Sequence, residues 1–387
     1  MIIQFHFLQN YAPSNLNRDD TGAPKDTVFG GTRRGRISSQ CLKRSIRRSE
    51  AFVNYFGQTD LLAVRTQLLP ALVEEALRGF GAADGEISAI VKRVPEIGRE
   101  SGKGGADEDA EEETTTANAP ADEAPVTEGK TKQLIFIGKG EVAPLAEKLL
   151  TQYRELGDKA WKKAKIKDIT KKLGKSLPKS VDVAMFGRMT TSEAFEDVRA
   201  AAQVAHAIST HTVSQEFDYF TAVDDLSGES GAGMIGDIEF NSSTYYKYLS
   251  VHWEKLVENL GGDKETACQA VLALLEAAAT AQPSGKQNTF AAHNLPDLIL
   301  VEVLERNLPV SYANAFIKPV KASGGKTLME QSVLQLADYV ARLSKAYSLA
   351  PQRVYLSLDG AEIPNAQAQE SLADLQRWLG EQIPSGA

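Results

Sequence analysis

Cysteine is nearly absent: Cys41 and Cys268 are the two in 387 residues. That excludes a disulfide scaffold and any zinc site built on cysteine, and it suits a reducing cytoplasm. Histidine is scarce as well, at five. His206 and His211 are the wrong distance apart for two ligands on one helix face, and on a strand they would point to opposite sides. No apolar run is long enough to span a bilayer, and no positive region precedes the short apolar stretch Met1–Leu8, so neither membrane insertion nor secretion is expected. Nucleotide and hydrolase signatures are missing too, with no GxGxxG and no GxSxG. Ser323-Gly324-Gly325-Lys326-Thr327 ends like a P-loop but lacks its first glycine at the required spacing. No catalytic residue, metal site or cofactor is expected.

What is present is ample core material and patterned charge. Apolar residues make up 42% and charged residues 24% of the chain, near the globular norm. The net charge of −8 looks wrong for a nucleic-acid binder. It is produced by residues 100–128, which hold ten acids against the single base Lys103. The rest of the chain is near neutral and contains two strongly basic regions. Arg18 to Arg48 holds nine bases and three acids, and Lys159 to Lys179 holds nine lysines and one acid, Asp168. The total conceals both.

Alternation predicts strands at 2–8, 133–137, 180–187, 203–213, 238–250, 297–303 and 310–317. Helices are expected at 39–56 behind the cap Ser38-Ser39, at 59–80 with an interruption at Pro70, and at 141–156 continuing into the lysine-rich stretch. Others are expected at 263–281, 327–347 and the C-terminus. Residues 10–37 and 214–238 read as long loops. Residues 100–131 are acidic, Thr-, Gly-, Ala- and Pro-containing, and are expected to be a mobile insertion. The mixture points to an α+β sheet domain with insertions.

The chemistry of binding is concentrated in Arg18–Arg48. Gly30-Gly31 permits close backbone approach to an anion. A helix N-terminus behind Ser38-Ser39 offers free N–H groups and a positive dipole end to phosphate. Lys43 with Arg47, and Arg44 with Arg48, form a basic ridge. Basic side chains at several angles suit a sugar-phosphate chain. The plainer reading of both basic regions is solvated helix surface, and for Lys159–Lys179 it carries equal weight. Tyr219-Phe220, in a polar stretch, are either a small local core or a wedge that stacks on bases. The neighbouring carboxylates Asp19-Asp20 and Asp224-Asp225 could bind a divalent ion, but such pairs more often cap turns or pair with arginine.

The block Ser14-Asn15-Leu16-Asn17-Arg18-Asp19-Asp20, running through Lys25-Asp26 and Phe29-Gly30-Gly31 to Arg36-Ile37-Ser38-Ser39-Gln40-Cys41-Leu42-Lys43-Arg44, closely resembles one family. This is the CasC backbone subunit of the type I-E CRISPR interference complex, Cascade. Gly187-Arg188-Met189, Ala205-His206-Ala207-Ile208, Phe220-Thr221-Ala222-Val223-Asp224-Asp225-Leu226, Glu258-Asn259-Leu260-Gly261-Gly262 and Ala313-Asn314-Ala315-Phe316 extend the resemblance in order over most of the chain.

The resemblance implies an α+β fold with an RRM-like (ferredoxin-like) palm, helical fingers and a protruding thumb loop. On this sequence 1–57 would open the palm and 58–180 would be the fingers, with the acidic segment 100–131 inside them. Residues 181–212 would continue the palm, 213–237 would be the thumb, and 238–387 the rest of the palm with C-terminal helices. It also implies about six copies of the chain stacked as a helical filament along one guide RNA (crRNA), each thumb reaching over its neighbour's stretch. Target DNA would pair with the guide bases. CasA, CasB, CasD and CasE would be the other partners, in the cytoplasm. Arg18, Lys25, Ser38, Ser39, Gln40, Lys43, Arg44 and Arg47 match positions that hold the guide backbone. Met189, Tyr219 and Phe220 match wedges against bases, with Arg188 and Thr221 beside them. Lys318 and Lys321 match a basic loop near the RNA.

The acidic insertion has no counterpart in that pattern. A backbone subunit that accepts any guide should contact phosphate and sugar and leave sequence to base pairing. That reading is non-catalytic. Two others remain open: a metal-dependent endoribonuclease using Asp19 or Asp20, as in related type III subunits, and a general single-strand RNA chaperone.

Overall fold

The computed structural model describes residues 1–57, 59–97, 129–131, 134–171, 179–190, 194–223 and 232–384. Its centre is β1 (Ile2–Ser14), whose alternation sends Ile3, Phe5 and Phe7 to one buried face of a sheet and Gln4, His6 and Leu8 to the other. A hairpin follows, β2 (Asp26–Phe29) and β3 (Thr32–Ile37), then α1 (Ser39–Arg48) and α2 (Glu50–Phe56). The next part holds β4 (Ala63–Thr66), α3 (Leu69–Gly79), α4 (Asp84–Val91), β5 (Ile135–Gly138), α5 (Lys139–Lys163) and α6 (Ile166–Thr170). The chain returns through α7 (Val181–Phe186), β6 (Ala202–Val204), β7 (Ala207–Ser209), β8 (Glu216–Val223) and β9 (Ala232–His252). It ends with α8 (Trp253–Asn259), α9 (Lys264–Thr280), α10 (Gln287–Phe290), β10 (Leu298–Leu304), α11 (Leu328–Tyr347), β11 (Gln352–Ser357), β12 (Gln367–Ala368) and α12 (Leu372–Gln382).

The large sheet runs β12-β11-β10-β1-β9-β7-β3-β2, with β6 and β8 also on β9. Every pairing in it is antiparallel except β11 with β12. Helices α1, α2, α9 and α12 cover the Phe5–Phe7 face, and α11 covers the other. A second core, Leu69, Val73, Leu77, Ile90, Leu145, Leu149 and Trp161, holds the part built on the β4–β5 pair. Both sheet faces carry buried charge. On the α11 face Glu302 accepts from Tyr312 at 2.9 Å and pairs with Arg353 and with His6. On the α9 face Lys247 is 3% exposed; its Nζ donates to the Ala278 carbonyl at 2.9 Å and lies 4.9 Å from the centre of the Phe7 ring.

Several expectations need correction. Residues 180–187 form a helix, α7, not a strand; all six of its residues are buried, so it has no polar stripe to reveal its period. The expected helix over 59–80 is β4 followed by α3, with Pro70 in the first turn, where its missing N–H costs nothing. The helix expected over 39–56 is two helices, because Ser49 is extended and its hydroxyl caps α2. Residues 310–317 contain a 3-10 turn over Ala313–Phe316. The loop expected at 10–37 contains the end of β1 and the whole β2–β3 hairpin. The P-loop-like segment is a turn whose Thr327 makes a capping box with Glu330 at the start of α11. The expected mobile insertion lies outside the described residues from 100 to 128, as do Lys172 and Lys175 of the lysine-rich stretch. Among the described residues no helix is long and apolar enough to cross a membrane, and both cysteines are free thiols.

Candidate nucleic-acid interface

The basic block is folded onto the end of the sheet. After β1 the chain turns at Asp19, whose Oδ1 accepts from the Thr21 amide (2.9 Å), the Thr21 hydroxyl (2.8 Å) and the Ala23 amide (3.0 Å). Burial pushes the Asp19 pKa up, but these hydrogen bonds outweigh it and hold the carboxyl below its ordinary value. Arg18 bridges to Pro24. The Lys25 amide donates to the Asn17 carbonyl at 2.8 Å, and the Arg36 amide donates to the Lys25 carbonyl at 2.9 Å. Asn17 Oδ1 accepts from the Ser38 amide at 2.8 Å. Asn17 therefore joins the turn, the base of the β2–β3 hairpin and the N-terminus of α1. Ser38 is the cap, its hydroxyl accepting from the Cys41 amide at 3.2 Å. Ser39, Gln40, Lys43 and Arg44 lie on α1 away from the inward Leu42 and Ile46 and are half-exposed.

At the other end of the hairpin, the turn after Phe29 meets the segment that carries Lys318 and Lys321, both exposed. The structure thus brings Arg18, Lys25 and the start of α1 to one end of the hairpin and the Lys318–Lys321 segment to the turn at the other. His206 Nδ1 lies 3.3 Å from Arg36, whereas His211 accepts the Thr244 amide on Nε2 and contacts the Thr212 carbonyl through Nδ1. Burial pushes the His211 pKa down. Among the described residues no group of three His, Cys, Asp or Glu could hold a metal ion.

Three site residues named from the sequence are placed inward: Ser38, 1% exposed with its hydroxyl taken by the Cys41 amide, Arg47 and Arg188. Arg47 lies 3.7 Å from Asp182, with side chains 10% and 1% exposed, and stacks over Phe136. Burial raises the Asp182 pKa against the pull of Arg47. Arg188 is more deeply held, with a side chain 4% exposed and a two-point pair to Glu141 at 2.7 and 3.0 Å. Both arginines read as surface cations from sequence, because their partners stand 135 and 47 residues away; in the fold they are parts of ion pairs. Met189, next to Arg188, is 61% exposed.

The expected thumb loop is a hairpin arm. β8 pairs with the first half of β9 from Glu216↔Phe240 to Val223↔Ala232. Tyr219 and Phe220 therefore face opposite sides. Tyr219 is 65% exposed and shares its face with Phe217, Thr221 and Ile235. Phe220 is half-buried over Gly236, where a Cβ would stand 2.6 Å from the ring. The ring takes the place of the missing side chain across the ladder. Glu216, Asp218, Asp237 and Glu239 give the described part of the arm four acids and no base. It can stack on a flat group, but it repels phosphate.

The model of the CT1975-like protein family matches residues 3–382. The chain belongs to that family. The resemblance to CasC-type backbone subunits read from the sequence stands. This CT1975-like chain is also similar to a solved chain described as "CRISPR RNA-guided surveillance complex, pre-nicking", at 29% identity and a TM-score of 0.76, covering 99% of this chain and 100% of that one. A second, "CRISPR RNA-guided surveillance complex", is similar in fold at 24% identity and a TM-score of 0.60, covering 98% and 99% of the two chains. No curated protein matches.

Asn17 and Arg34, both buried, hold the basic block together, and the sequence does not single out either for that role. Asn17 acts on Ser38, twenty-one residues on, and no spacing rule signals that contact. Arg34 was counted among the bases, yet it is 0% exposed.

Proposed function

We propose that this chain is the backbone subunit of a type I-E CRISPR interference complex. Several copies, about six, would repeat head to tail along one guide RNA. An RRM-like palm carries the guide backbone on the Arg18, Lys25, Ser39, Gln40, Lys43 and Arg44 surface and near Lys318 and Lys321, with Ser38 holding the N-terminus of α1 beneath them. The helical fingers correspond to the part built on the β4–β5 pair, and the thumb to the β8–β9 arm. Guide bases pair with target DNA, and CasA, CasB, CasD and CasE complete the cytoplasmic assembly. The observation that carries this reading is the end-to-end likeness to a chain of the pre-nicking surveillance complex, with the basic block folded as one ordered surface. The role is non-catalytic. The ribonuclease alternative draws no support from Asp19, whose Oδ1 caps its own turn.

Salt titration of guide binding tests the surface. Lys43→Ala/Arg44→Ala should lower the slope of log affinity against log salt by about 1.4, roughly 0.7 per lost single-strand phosphate contact. The loss should be equal for unrelated guides; guide-dependent losses would refute a backbone-only contact. Incubation of the assembled complex with target RNA and magnesium should give no cleavage.

The arm makes a second test, because its two aromatics have different surroundings. Tyr219→Ala should leave the melting temperature of the free protein unchanged and weaken guide binding by about 1–3 kcal/mol through lost stacking. Phe220→Ala should loosen the arm by about 0.2–1 kcal/mol, the size of a cross-strand pair. Chemical probing of guide bases reads the first, and amide exchange along β8 reads the second. Equal effects of both variants on probing alone would contradict the split.

A further inference from the structure

The β2–β3 hairpin joins two basic groups, and a buried guanidinium fixes one of them to it. Arg34 is 0% exposed. Its Nη1 donates to the Ser209 and Thr210 carbonyls at 2.9 Å each. Its Nη2 donates to the Phe316 and Ile317 carbonyls at 2.8 and 3.2 Å, and its Nε to the Thr32 hydroxyl at 2.8 Å. Among the described residues no carboxylate pairs with it. A buried cation without a counter-ion needs every donor satisfied, and here the acceptors come from three places: the hairpin, the end of β7 and the 3-10 turn before Lys318.

A second observation marks the same contact from the other side. Gly30, at the hairpin turn with φ +60°, lies so close to Ile317 that a Cβ would stand 2.0 Å from the Ile317 carbonyl oxygen. The Thr210 carbonyl that Arg34 binds also accepts the Val320 amide at 3.0 Å. From α11, Gln335 donates to the Ala315 carbonyl at 2.6 Å. Gln335 and Val320 keep the segment near the sheet, while Arg34 and Gly30 set where it meets the hairpin. Four residues of strand span about 13 Å.

We propose that Arg34 is a positioning residue that locks the Lys318–Lys321 segment against the hairpin turn and so fixes the spacing between Lys318/Lys321 and the Lys25–Arg44 group along a bound RNA strand. This rests on the guide-RNA reading above. Arg34 touches no nucleic acid itself. Its effect is on which phosphates the two lysines reach.

The test measures salt slopes of guide binding for the full chain. Lys318→Ala/Lys321→Ala should lower the slope by about 1.4. Arg34→Met should lower it by a similar amount, and adding the two lysine changes should lower it no further. Gly30→Ala perturbs the contact while leaving the guanidinium in place, so it covers the case in which Arg34→Met unfolds the chain. It should give the same slope and the same lack of additivity. Arg34→Lys should not restore the native slope, since one ammonium cannot span four carbonyls in two segments. A lysine pair that lowers the slope as much in the Arg34→Met and Gly30→Ala backgrounds as in the native chain would overturn the proposal. A lysine pair without effect in the native chain would overturn it too, while native binding that still responds to Lys43→Ala/Arg44→Ala would leave the guide-RNA reading intact. If the native chain binds no guide, that reading fails first.

Discussion

Arg188→Ala is expected to destabilise the free protein by about 3–5 kcal/mol, the usual cost of leaving a buried charge without its partner. The stranded group is Glu141, whose side chain is 1% exposed. Its Oε2 accepts both Arg188 Nη1 and the Gly138 amide at the start of α5, at 2.7 Å each. Arg188 also donates to the Phe136 and Glu196 carbonyls and stacks 5.3 Å from the centre of the Phe195 ring. Its loss therefore opens a joint between β5, α5 and the segment that displays Met189. Arg188→Met/Glu141→Gln should recover much of the loss, because neither site then holds an unpaired charge and the glutamine carbonyl still accepts from Gly138. Denaturant midpoints without RNA decide the matter. An unchanged midpoint for Arg188→Ala would return this residue to the surface role its sequence context suggests.

Stability should rise between pH 7 and pH 9, with a slope of about 0.7 kcal/mol per unit at pH 7 that approaches about 1.4 at higher pH, and Lys247→Met should abolish that rise. Burial pushes the Lys247 pKa down from 10.5 to about 7. In the unfolded chain the amine stays protonated up to its ordinary pKa, so in this window the unfolded state binds the extra proton. Stability then increases with pH and is lowest where the buried amine is charged. At pH 7 the methionine variant should be more stable than the native chain by an amount on the order of 3–4 kcal/mol, less any packing mismatch. Burial also raises Cys268 and the phenols of Tyr11 and Tyr245, which oppose folding at more alkaline pH, so the window ends near pH 9. Denaturant melts of both proteins across this range test the claim. A native chain with flat stability between pH 7 and pH 9 would contradict it.

The sequence made visible whatever rests on local period. β1 was readable from its alternation, α12 from the one face shared by Leu372, Leu375, Trp378 and Leu379, and α9 from its alanine content, although most of its circumference is buried. The basic block was readable because residue type and loop chemistry coincide within thirty positions. Burial of charge was not. Arg34, Arg47, Arg188 and Lys247 look like solvent-facing cations until carbonyls and carboxylates from distant segments are brought to them. The arm was misread for a different reason. Phe217, Tyr219 and Thr221 alternate with Glu216, Asp218 and Phe220 as a strand should, but the glycines that follow suggested loop, and the acids hid the period. For α7 the signal misled: Ser180, Asp182 and Ala184 alternate with Val181, Val183 and Met185 as in a strand, yet all six residues of the helix are buried.

The arm and the sheet share a single beam. β9 is 21 residues long; its first part pairs with β8, and from Asn241 onward it is laddered to β1. Its ladder shifts register twice, between Tyr11 and Ser14 of β1 where the arm leaves the sheet and between Ala222 and Val223 of β8 within the arm. The arm thus grows out of the sheet on the same strand, and the register shift at their junction sets the angle at which it leaves. Its reach is also countable. Matched insertions of two residues in β8 and β9 would lengthen it by about 7 Å with Tyr219 still on its present side. Insertion of one residue in each would rotate every side chain beyond that point to the opposite side.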